Sequence, residues 1–97
     1  MNALSRIDSA VIMGHDVESS SRVLEAALES DAGYIGSIGA PRMQDQRADW
    51  LAYRGVTDLS RVHGPAGLDI AAKNPAEIAL SVIAEAAGYH NRTADAE

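Results

Sequence analysis

Two short apolar runs, "SAVIM" at Ser9–Met13 and "YIGSI" at Tyr34–Ile38, stand one helix apart in the chain. Both are rich in branched side chains and carry no charge, which reads as strands covered on both faces. Between them, Glu18–Ser30 brings Val23, Leu24, Ala27 and Leu28 onto one helical face. A strand, a helix and a second strand in this order predict a parallel βαβ unit, because the helix carries the chain back to the starting edge. The chain is therefore expected to be α/β.

The remaining elements follow from turn and cap signals. Asp16 or one of Ser19–Ser21 is expected to cap the first helix by accepting from a free backbone N–H, and Gly33 follows its end. A second helix is predicted over residues 40–55, with Pro41 in its first turn and Met43, Trp50, Leu51 and the stem of Arg47 as its apolar stripe. Thr57 and Asp58 can cap a short helical piece reaching Val62. His63–Ala72 then reads as a loop, with at most a few extended residues at Leu68–Ile70. Asn74-Pro75-Ala76-Glu77 supplies a cap residue, Pro at the first helical position and Glu two residues later. Behind it, Ile78, Ala79, Val82, Ile83 and Ala86 predict a buried stripe, with Gly88 as the end point and residues 91–97 as a disordered tail.

At 97 residues the chain makes one domain, 1–97, with room for one modest core. Phe is absent, so Ala, Val, Ile and Leu must fill that core. A net charge of −6 with scattered basic residues argues against nucleic acid as a partner, since phosphate contacts need clustered Lys and Arg. The absence of cysteine excludes disulfides, thiolate metal sites and cysteine nucleophiles. No apolar run approaches the ~18 residues that suggest a membrane span, and a cytoplasmic location is expected.

Two strands make a sheet with nothing but edges, although both strands read as buried. Either residues 1–9 and 66–71 add strands, or another subunit continues the sheet. Self-association through the strand region, as a homodimer, is the expectation.

Three segments carry candidate chemistry. "GHD" at 14–16 follows the first strand's carboxyl end, where open parallel sheets place ligands. There His15 can donate to a phosphate or carbonyl and Asp16 can orient it, or Asp16 can simply cap the helix. "GSIGAPR" at 36–42 follows the second strand. Gly36 and Gly39 serve either a tight turn or the close approach of a ligand. Arg42, at a helix start that prefers acids, makes more sense if it meets an anion. "GPAGLDI" at 64–70 sets Asp69 in a specified loop, where it can bond a ligand or hold loop amides. No metal-ligand spacing and no nucleophile–base–acid arrangement is visible, although Ser37 beside His15 is conceivable.

These segments resemble the C-terminal, Rossmann-like domain of the XdhC/CoxI family. Its members carry a "THD" turn after a strand, "AYIGxxGSRR" before a helix and "HxPIGLDIGAxTPEEIAxSIxAE". The counterparts here are "GHD", "GYIGSIGAPR" at 33–42 and "HGPAGLDIAAKNPAEIALSVIAEAA" at 63–87. The likeness runs over about residues 7–90 and implies a partial Rossmann-like βαβα unit with a C-terminal helix. It further implies a cytoplasmic, non-catalytic accessory protein that binds molybdenum cofactor (molybdopterin) and hands it to an apo-molybdoenzyme of the xanthine dehydrogenase or carbon monoxide dehydrogenase type. The pterin's phosphate suits the Arg42 helix start. By this resemblance His15, Asp16, Gly36, Ser37, Gly39, Arg42 and Asp69 surround the ligand.

The chain departs from the family in four ways. "SRR" is "APR", "PIGLDIGA" is "PAGLDIAA", the residue before "HD" is Gly14, and the family's glycine-rich first half has no counterpart, unless a larger XdhC-like subunit supplies it. Two other readings stay open: an NAD(P)-dependent oxidoreductase-like domain, and a ligand-free partner that completes another protein's sheet.

Overall fold

The computed structural model describes residues 4–96. Three parallel strands lie in the order β1-β2-β3 among the described residues: β1 (Ser9–Ile12), β2 (Tyr34–Ser37) and β3 (Val62–His63). Helices α1 (Val17–Glu29), α2 (Pro41–Tyr53) and α3 (Pro75–Ala96) alternate with them. Ser9 pairs with Tyr34 and Ile12 with Ser37, so the two predicted strands are parallel and in step. The architecture is that of a partial Rossmann-like α/β domain.

One face of the sheet holds the core. Ala10 and Ile12 of β1, Ile35 of β2, Leu24 and Ala27 of α1 and Leu51 of α2 form a buried cluster. Helix α1 begins where Asp16 accepts from the Ser19 N–H at 2.8 Å, so the first of the candidate caps is the one used. Its buried stripe is Ser20, Ser21, Leu24 and Ala27, while Val23 faces outward. Ser20 can be buried because its hydroxyl donates to the Asp16 carbonyl at 2.6 Å and accepts from Arg47 at 3.0 Å.

The short helix expected at 57–62 is absent. Asp58 instead turns the chain by accepting from Ser60, and Val62–His63 become β3. A cation fixes this entry: Arg61 donates to the carbonyls of Leu28, Ser30 and Ala32 at the end of α1. Those carbonyls lack intrahelical partners, and the helix dipole favours a positive charge there. Among the described residues the third strand thus comes from 62–63, not from 4–8 or 66–71, and residues 1–3 lie outside the described residues.

The opposite face is covered by α3, which packs on β2. Its start follows the predicted cap: Glu77 N–H donates to Asn74 Oδ1 at 2.9 Å, and Glu77 Oε1 accepts from Lys73 N–H at 2.8 Å. Tyr34 sends its hydroxyl across to Glu85 at 2.6 Å, and Glu85 also accepts from Gly67 N–H at 3.1 Å. The His63 ring stacks on Tyr34 with centroids 4.7 Å apart. The helix continues past Gly88 through Ala96, where a tail was expected.

Two burial expectations fail together. β1 is covered on one face only, with Ser9 and Val11 exposed. On α3, Val82 is buried, but Ile78, Ala79 and Ile83 are exposed. The cause is placement: α3 is anchored over β2 and leaves the outer side of β1 open.

Candidate functional site

The carboxyl ends of β1 and β2 meet at one buried cation. Arg47, on the second turn of α2, is only 1% exposed. Its Nε donates to Ser20 Oγ at 3.0 Å, and Nη1 donates to Ser37 Oγ and to the Ile38 carbonyl, both at 2.7 Å. Nη2 reaches the Gly14 carbonyl at 3.3 Å. One guanidinium therefore ties the Gly14 turn, the start of α1 and the end of β2 into a single unit. The planar fork of Arg suits this task where a Lys ammonium would not. All of these acceptors are neutral, and among the described residues no carboxylate pairs with Arg47. Burial lowers its pKa from the usual guanidinium value, yet it stays charged at neutral pH.

Around this unit the predicted residues divide. Ser37 is fully buried and belongs to it directly, and its carbonyl also accepts from Gln44 Nε2 at 2.9 Å and from Ala66 N–H at 3.0 Å. Gly39 sits at φ +153°, and a Cβ there would lie 3.0 Å from Met43 Cγ. Gly36 is packed in mid-strand, where a Cβ would lie 2.9 Å from the Tyr34 ring and 3.0 Å from Ala66 Cβ. Both glycines thus have a packing reason to be glycine. Asp16 is occupied as the α1 cap, and the Ser19 amide holds its carboxyl below the usual carboxylate range.

His15 is exposed and lines an apolar groove of about 540 Å³, with Val11, Met13, Ile38, Ile78 and Val82 among its other walls. Asp69 is exposed in a separate depression beside Leu68, Ile70 and Ser81. Its carboxylate accepts from Ala71 N–H at 3.3 Å and holds that residue at φ +56°, so it braces its own loop. The two depressions share Ile78, and Arg42 lines neither.

Arg42 stands alone at the start of α2. It is exposed and makes no hydrogen bond or ion pair with any described residue. The α2 cap residue, Ala40, offers no side-chain acceptor, and the first turn holds no acid. The first backbone bond of the helix runs from Gln44 N–H to the Ala40 carbonyl, which leaves the Arg42 and Met43 amides open. This surface offers open amides, a free cation and, behind them, a second cation buried without an acid. Its chemistry fits a phosphate or carboxylate. Among the described residues no group of three His, Asp or Glu gathers as a metal site.

In the sequence, Arg47 reads as a stem that completes a helix stripe. The signal available was an Arg on the inner face of an otherwise apolar turn, between Met43 and Leu51. Glu85, which holds both Tyr34 and the Gly67 loop, had no readable signal, because its partner lies fifty-one positions away.

The family model described as "XdhC Rossmann domain" matches residues 2–86. The chain is also similar to the "Molybdenum cofactor insertion chaperone PaoD" of Escherichia coli (strain K12). The two are 34% identical over 83 residues, which cover 82% of this chain and 26% of that protein. A second relative, "Uncharacterized protein YqeB" of the same strain, is 33% identical over 64 residues, covering 64% of this chain and 12% of the relative. The chain thus spans about a quarter of the length of the first relative and less of the second.

Proposed function

The chain belongs to the XdhC Rossmann-domain family, and on that premise we propose that it is a non-catalytic carrier module for molybdenum cofactor. In this reading it acts in the cytoplasm and serves an apo-molybdoenzyme of the xanthine dehydrogenase or carbon monoxide dehydrogenase type. The observation that carries the proposal is the start of α2: an unpaired Arg42 beside open first-turn amides, backed by the acid-free buried charge of Arg47.

When bound, the cofactor supplies the molybdenum chemistry of the client, and the chain's task is to hold it. Arg42 and the α2 amides would grip the phosphate of the pterin. Arg47 would keep the Gly14 and Gly39 turns in place through Ser37 and Ser20, and add positive potential from beneath. Gly39 would keep the turn low over Met43. His15 and Asp69 would stand to either side of the Ile78 end of α3, within the wider surround. No helix among the described residues is long and apolar enough to cross a membrane. A second copy of this chain is proposed to continue the sheet.

Anaerobic titration of the purified chain with molybdenum cofactor, followed by pterin fluorescence, tests the reading. Saturable binding at one cofactor per chain is expected. Arg42→Ala should weaken it by about tenfold or more, as loss of one charge-assisted contact does. No saturable binding would favour the role of a ligand-free partner. Unchanged affinity in Arg42→Ala would remove the α2 start from the site.

A further inference from the structure

We draw no further inference here: the strongest candidate, the apolar groove between the outer face of β1 and the first half of α3, walled by Val11, Met13, Ile78 and Val82, carries nothing because nothing in the structure shows what covers it.

Discussion

β1 and β2 are both four residues long and both read as uncharged, branched-residue strands, yet the structure treats them differently. Every residue of β2 is buried. Tyr34 and Gly36 lie beneath α3 and the 64–67 loop, and Ile35 and Ser37 face α1 and α2. β1 alternates, with Ala10 and Ile12 inside and Ser9 and Val11 outside. The difference teaches that a local apolar run specifies a strand but not its coverage. Coverage depends on where the next helix is anchored, and α3 is anchored to β2 by Tyr34 and Glu85.

The largest effect that would sharpen this contrast lies at the end of β2. Arg47→Met keeps the stem but strips donors from Ser37, Ser20, Ile38 and Gly14. A loss of about 3 kcal/mol in urea unfolding is expected, because several buried acceptors lose their partner at once. Arg47→Lys should recover only part of it, since an ammonium cannot span the same acceptors. A loss below about 0.5 kcal/mol would show that the cation does not hold the strand ends together.

Next comes Gly36→Ala, which forces a methyl against Tyr34 and Ala66. It should cost about 1–3 kcal/mol, as overpacking does. Val11→Lys, at the position paired with Gly36 in β1, should leave the stability of the single chain within about 0.5 kcal/mol, as an exposed site does. Equal penalties at the two positions would erase the contrast.

Tyr34→Phe should cost about 1 kcal/mol through the lost bond to Glu85. It also carries a pH signature. Burial, followed by the Glu85 hydrogen bond and charge, raises the Tyr34 pKa well above its ordinary value of 10.0. In the unfolded chain the phenol ionises near pH 10, while in the folded chain it stays protonated. Its contribution is therefore fully present below pH 10 and falls away as the pH rises further. Tyr34→Phe should flatten that alkaline loss.

The smallest effect is at Asp16. Its carboxyl is held low by the Ser19 amide, so its contribution is present above the ordinary carboxylate range and fades as the pH falls below about 4. Asp16→Asn keeps a capping oxygen and should remove only the acid dependence of that contribution, seen in melts between pH 3 and 6, a range of about three pH units.

How much of this was legible follows the same division. The parallel pairing of 9–12 with 34–37 and the Asn74 cap were readable, because periodicity and capping are local. β3 was not. Two residues cannot show a period, and Val62 and His63 are placed by Arg61 reaching to Leu28, Ser30 and Ala32. The stripe on α3 was visible as amphipathic, but which part of it would be covered depended on Glu85 and Tyr34. At the candidate site, Ser37 and Gly39 lie beside Arg47 at the end of β2 and just after it, and Arg42 stands in the first turn of α2. Arg47, the residue that organises their surroundings, looked like a polar interruption. His15 and Asp69 each lie in a block that matches the family pattern, but the fold sets them in neighbouring depressions rather than in one cavity.

The most direct measurement is sedimentation velocity of the chain mixed with molybdenum cofactor, recorded at both the protein and the pterin absorbance. A carrier built as described predicts pterin absorbance moving with the protein boundary at one cofactor per chain, and largely lost from that boundary in Arg42→Ala. Pterin absorbance that stays behind while the protein sediments would contradict it.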